Sequence, residues 1–221
     1  MCLVYMSIIP QDKTKNKAFK LKLEQCRRYH DKGFSLIPLV PRGKKPDAEL
    51  LEGGKWKPYR QRRASWPEVE SWLQQKPDIN IGIITGKASN LAVIDVDHPT
   101  DEEGNQRIKV SDEIVTPRVK TNRSQHIYFR TDEDIGYKTL KAGNHTVGEL
   151  IADSKHYVVA PPSIHPSGSQ YQWQDKNSLI RTELAAYTDI DINTKSITKQ
   201  SVPQELILIL VVSNYELNSQ D

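Results

Sequence analysis

Apolar and polar residues follow one another along this chain in blocks that separate helices from strands. Phe19, Leu21, Leu23, Cys26 and Tyr29 recur among lysines at an imperfect helical spacing, which predicts a helix over about 14–31 that Gly33 stops. FSLIPLV (34–40) is a short apolar run broken by Pro38, a residue without a backbone donor, and is expected as an edge strand. Ser65-Trp-Pro-Glu68 combines an N-cap serine, a proline at the second helical position and a glutamate three residues after the cap. It predicts a helix through Val69, Trp72 and Leu73 that ends before Pro77. INIGIITG (79–86) and LAVIDVD (91–97) are β-branched runs expected as neighbouring strands. HIYFR (126–130) alternates like a strand, GELIAD (148–153) and HYVVAPP (156–162) are expected as a second strand pair, and SQYQWQ (169–174) as one more. Residues 1–13 read as a lead, 41–64 as a long basic loop, 99–106 as an acidic turn and 188–202 as a linker; 107–119 carry no decisive pattern. ELILILVV (205–212) is apolar and short, and reads as a core strand or as the first helix of a further segment. No internal repeat occurs. The pattern divides the chain into one large domain over 1–190 and, over 191–221, a linker with the start of a C-terminal segment.

Composition narrows the class. The 221 residues are 37 % hydrophobic and 27 % charged, and no apolar run approaches the roughly 18 residues of a membrane span. The N-terminal MCLVYMSIIP lacks the basic lead and small-residue cleavage site of a signal peptide. Cys2 and Cys26 are too few for a disulfide scaffold or a Cys-rich zinc module, so a reducing, cytoplasmic setting is expected. The net charge of +3 is unevenly spread. Residues 1–63 hold 16 Lys/Arg against 6 Asp/Glu, and residues 64–221 hold 15 against 22. A basic first quarter beside an acidic remainder suits a polyanion held next to a carboxylate site; a solvated lysine-rich helix accounts for it equally well.

Four segments carry candidate chemistry. In Leu91-Ala-Val-Ile-Asp95-Val-Asp97, the two aspartates share one face of a strand, about 6.5–7 Å apart at Cα. Aspartates are poor strand formers and costly to bury unpaired, so a hard cation such as Mg²⁺ or Mn²⁺ is the obvious partner. A bare Asp-x-Asp is more often simply a solvated strand end. Thr121-Asn-Arg123-Ser124-Gln-His126 places a guanidinium, a hydroxyl and an imidazole in a turn feeding a strand, a set that can bind a triphosphate tail. Glu149 opens the next apolar strand as a third carboxylate, with Asp153 as its competitor on the same face. The Pro161–Gly168 loop presents Ser163 and His165 as further nucleotide contacts, or is a plain hairpin turn. In the basic loop, Lys44, Lys45, Lys55, Lys57 and Arg60 interleave with Trp56 and Tyr59, which suits single-stranded nucleic acid: charge follows the backbone and rings stack on bases. Neither a Walker A loop nor a GxGxxG motif occurs.

Taken in order, these motifs resemble the bifunctional DNA primase/polymerase branch of the archaeo-eukaryotic primase superfamily, found on plasmids, phages and other mobile elements. VIDVD matches its Asp-x-Asp, Ser124-Gln-His126 its Ser-x-His, and Glu149 its later acidic residue. GFSLIPLVPRGKKP, Trp56-Lys-Pro-Tyr59, NIGIITG and YVVAPPSIHPSG match accessory pieces, over roughly 25–175 in all. The resemblance implies an α+β, archaeo-eukaryotic primase-like fold, in which an RRM-like β-sheet module joins an N-terminal α/β module with the active site in the cleft between them. It implies a two-metal nucleotidyl transferase with Asp95, Asp97 and Glu149 holding Mg²⁺ or Mn²⁺, while Ser124 and His126 contact the nucleotide phosphates. Its partners would be a single-stranded DNA template and primer, dNTPs and/or NTPs, and a helicase domain in a longer parent chain. Three rival readings use the same residues: a Mn²⁺-dependent glycosyltransferase, a non-enzymatic nucleic-acid-binding replication module, and a nuclease. A primer-extension assay separates them.

Overall fold

Phe19, Leu23, Cys26 and Tyr29 fall on one side of the first helix, α1 (Lys13–Asp31), and the last two are fully buried. Gly33 ends the helix with φ of 84°, the left-handed conformation in which its N–H reaches the His30 carbonyl at 2.9 Å. The molecule is known from a computed structural model that describes residues 13–97, 109–110, 114–142, 144–174, 178–179, 182–187 and 207–208. All of the expected lead over 1–13 but Lys13, which starts α1, the acidic turn at 99–106 and the linker at 188–202 lie outside the described residues.

Strand β1 (Leu36–Leu39) is the expected edge strand, with Pro38 inside it. The basic loop that follows holds two short 3₁₀ turns, Glu52–Gly54 and Lys57–Arg60. Helix α2 (Trp66–Gln75) starts on the capping box read from the sequence: Ser65 accepts from the Glu68 N–H, and Glu68 accepts from the Ser65 N–H. Strands β2 (Asn80–Ile84) and β3 (Leu91–Val96) follow. After them come β4 (Lys109–Val110), β5 (Arg118–Lys120), β6 (Gln125–Arg130), β7 (Gly136–Ala142), β8 (His145–Ala152), β9 (Tyr157–Ala160), β10 (Gln172–Trp173) and β11 (Ile207–Leu208).

The fold is α+β, with two antiparallel sheets. One has three strands in the order β1-β2-β9, and the other six in the order β10-β5-β6-β3-β8-β7. β11 pairs with β4 in parallel, and this is all the structure describes of the apolar run at 205–212. One core joins both helices, the three-stranded sheet and one face of the larger sheet, through Leu91, Val93, Val119, Tyr128 and Ile151. A second, smaller core lies on the opposite face of the larger sheet, under Ile94, Val96, Phe129 and Leu150. Among the described residues no helix is long and apolar enough to cross a membrane.

Two expectations about partners fail. β2 and β3 are not neighbours, because β1 and β9 occupy both edges of β2. Gly86 (φ 63°) and Asn90 (φ 50°) reverse the chain and deliver β3 to the second sheet. β8 and β9 also separate, since β3 and β7 already flank β8. Strand β7 escaped the sequence pattern. It is an edge strand whose GYKTLKA carries solvated lysines and buries only Leu140 among its described side chains, so no apolar alternation marks it.

Candidate active site

The face of β3 that carries Leu91 and Val93 into the core reaches Asp95 next. Register extends this across three strands. Val93 stands opposite Tyr128 on β6 and Ile151 on β8, an apolar row. One row on, Asp95 stands opposite His126 and Glu149. Side chains opposite each other in antiparallel strands project from the same face, so the three motifs meet where the core stops. Asp97 follows just past the strand, exposed, with its N–H donating to the Val147 carbonyl at 3.0 Å. Gly148 is what permits this approach of β8 to β3: a Cβ there would lie 2.3 Å from the Asp95 carbonyl oxygen.

The electrostatics of the row favour an ionised Asp95. Burial is the largest influence and raises its carboxyl. The His126 ring, with Nε2 at 3.4 Å from Oδ1, and the Lys44 charge outweigh it and hold the carboxyl below its ordinary value. His126 itself is 5 % exposed, its Nδ1 is buried without a hydrogen-bond partner among the described residues, and its ring lies against Tyr128 and Tyr171. The imidazole faces the carboxylate. Tyr171 was missed by sequence reasoning. Burial and the Asp95 charge push its hydroxyl up to about 12, and only its place two residues before Trp173 hinted at a strand.

The remaining expected nucleotide contacts divide. Arg123 is exposed in the turn before β6, which is closed by the Thr121 N–H on the Ser124 carbonyl and the Ser124 N–H on the Thr121 hydroxyl. Asn122 Oδ1 accepts from Ser167 at 3.0 Å and Ser169 at 2.9 Å, tying that turn to the Pro161–Gly168 loop. His165 lies beside both: burial first, then the Lys44 and Arg123 charges, lower its imidazole below the ordinary value. Ser163 does not face the site. It is buried, and its Oγ accepts from the Ile81 N–H at 2.9 Å, so it anchors the loop to β2. Asn80, also missed, clamps the same region: its Nδ2 donates to the Gly43 and Ile164 carbonyls and its Oδ1 accepts from the Ile164 N–H.

The two candidates for the third carboxylate lie far apart. Glu149 sits in the Asp95 row. Asp153 lies past the end of β8, where its backbone meets Gly86 and Thr85, and its Oδ1 holds His156 Nδ1 at 2.6 Å. Glu149 in turn accepts from Tyr137, whose ring stacks on His156 at 4.9 Å. Tyr137 lies on the strand that sequence reasoning missed, so no pattern drew attention to it.

The basic loop is also split. Lys44 and Lys45 are exposed at the Asp95 end, where the Tyr157 hydroxyl donates to the Lys44 carbonyl at 3.0 Å. Lys55, Lys57 and Arg60 lie elsewhere and line a recess with Lys87 and Asn90. The two aromatic residues differ: Tyr59 is buried and Trp56 is half-buried. Tyr59 is 1 % exposed, donates to Glu68 and packs edge-on to Trp72; Trp56 packs edge-on to Tyr157.

A family model for the N-terminal domain of bifunctional DNA primase/polymerases matches residues 26–189. The chain belongs to this family. No curated protein matches it. Membership of the primase/polymerase family implies DNA and nucleotides as substrates and nucleotidyl transfer as the reaction class.

Proposed function

We propose that this chain is a metal-dependent, template-directed nucleotidyl transferase that extends strands on single-stranded DNA from dNTPs or NTPs. The observation that carries the reading is the register row Asp95–His126–Glu149, which brings three separate motifs of a primase/polymerase onto one face.

Asp95, Asp97 and Glu149 are the residues that would hold the metal. All-oxygen, carboxylate-rich donor sets suit Mg²⁺ and Mn²⁺. As the side chains stand, no three such groups close around an ion among the described residues, and Glu149 is turned to Tyr137. The donor set fits a hard cation, and Glu149 Oε2 is not the oxygen that Tyr137 engages. Ions bound there would supply Lewis-acid chemistry, lowering the pKa of an attacking 3′-hydroxyl and offsetting charge at the α-phosphate. The chain's own groups do the rest. His126 holds Asp95 ionised and oriented. Lys44 and Arg123 gather at the same end as a cationic rim beside the His165 imidazole, and with Ser124 these side chains supply donors to a polyphosphate. Lys45, beside Lys44, extends the charge toward a template strand.

Primer extension on a labelled template with dNTPs and Mn²⁺ tests the reading. Asp95→Asn and Glu149→Gln are each expected to cut incorporation by more than about 100-fold, whereas Asp153→Asn costs little. Shortening of the primer would mark a nuclease, retention without change a binding module, and transfer from a nucleotide sugar a glycosyltransferase. Full extension by Asp95→Asn sinks the proposal outright.

A further inference from the structure

The recess at the Leu91 end of β3 stands apart from the Asp95 row by four strand positions, about 14 Å. It is an open cavity of about 1000 Å³ whose wall carries Lys55, Lys57, Arg60, Arg63, Lys87 and the exposed Asn90. None of these five cations makes an ion pair among the described residues. Arg62 contributes little charge, since Glu52 at 2.8 Å and Glu68 at 2.9 Å neutralise it. The one carboxylate in the wall, Asp134, is turned to the Lys87 and Ser154 backbone N–H groups and the Ser154 hydroxyl. Gly33 adds a steric detail: a Cβ there would lie 2.6 Å from Arg63 Nη1, so the bare glycine leaves room for the guanidinium at the rim.

Like charges at this density cost stability unless an anion shares them. The recess has no aromatic face to offer, because Tyr59 is buried and Trp56 is packed on Tyr157. Recognition there is by phosphate and not by base. The proposed reaction works on a single-stranded template, so a single strand is the occupant considered.

We infer that this recess is a second nucleic-acid contact, holding the sugar–phosphate backbone of a single strand outside the Asp95 row. The inference rests on the reading of the chain as a nucleic-acid enzyme, but its test needs no catalysis. Binding of a fluorescent oligothymidylate is followed by anisotropy across a salt series, in EDTA and without nucleotides. The double variant Arg63→Gln/Lys87→Gln removes two cations, and the slope of log K against log salt is expected to shrink by about 1.4. Arg63→Lys/Lys87→Arg keeps the charge and keeps the slope. Lys17→Gln/Lys20→Gln, on the exposed side of α1, leaves it unchanged. An unchanged slope in the first variant overturns the inference, as does an equal loss in the α1 control, which would reduce the effect to net charge. An equal loss with a hairpin duplex would also overturn it. So would tripolyphosphate that displaces the strand from the wild type and fails to do so in the variant, the behaviour of a nucleotide pocket. Failure of primer extension with the binding result intact would reject the polymerase reading alone.

Discussion

Asp95 owes its charge to two neighbours that sit far away in the chain. His126 reaches it across β6, and Lys44 approaches from the basic loop, and together they overcome the burial that would neutralise it. The carboxylate's contact with His126 stabilises the fold above the ordinary aspartate range, and that contribution is lost as the pH falls through the depressed value. Gly148 is the other residue on which the row depends. Gly148→Ala places a methyl group 2.3 Å from the Asp95 carbonyl oxygen and 3.2 Å from the Val96 Cα. Both contacts are backbone and have no rotamer to move. Urea unfolding should show a loss of about 1–3 kcal/mol, and β8 should shift enough to lower incorporation as well. A variant with wild-type stability would show that β8 can retreat from β3 without cost. Asp-x-Asp, Ser-x-His and Glu149 were legible as separate motifs because each is local. That His126 faces Asp95, and that Tyr137 holds Glu149, depends on strand neighbours that no local pattern names.

Helix α2 shows how a short element is fixed by its first turn. Ser65 and Glu68 satisfy each other's backbone N–H groups, and Glu68 also receives Arg62 and Tyr59. Burial raises the Glu68 carboxyl, but the Arg62 hydrogen bond, the Ser65 backbone and the Tyr59 hydroxyl bring it down to about 2. Because the folded value lies below the ordinary 4.5, its stabilisation is complete above that value and disappears as the pH falls toward about 2. Glu68→Gln should therefore lower stability by about 0.5–2 kcal/mol at neutral pH. It should also flatten the acid limb: urea midpoints followed from neutral to strongly acidic pH should fall less steeply than in the wild type. Parallel limbs would mean that Glu68 is not held below its ordinary range. The helix and its cap were readable in Ser65-Trp-Pro-Glu68 because capping involves residues three apart. β7 was not, because an edge strand with solvated lysines buries too little to leave a period.

At the scale of the molecule, a few buried polar side chains tie the helices and both sheets together near the Asp95 end. The Tyr29 hydroxyl donates to the Pro161 carbonyl at 2.7 Å and accepts from Trp173 Nε1 at 2.9 Å, which binds α1 to the loop after β9 and to β10. Tyr29→Phe keeps the ring and strands both partners, and equilibrium unfolding should register a loss of about 1–3 kcal/mol. A neutral result would show that water replaces the hydroxyl and that α1 is held by apolar packing alone. The chain by itself determined most helices and strands, the α+β class and the residues capable of the chemistry, because periodicity, capping and side-chain type are properties of near neighbours. The tertiary structure alone decided which strands pair. β2 and β3 part because both edges of β2 are taken, and an edge is filled by whatever part of the chain reaches it. The same long-range choice places Asp95, His126 and Glu149 in one row and sends Asp153 to the opposite end. It also buries Tyr59 and divides a continuous basic loop between the Asp95 row and a recess some 14 Å away.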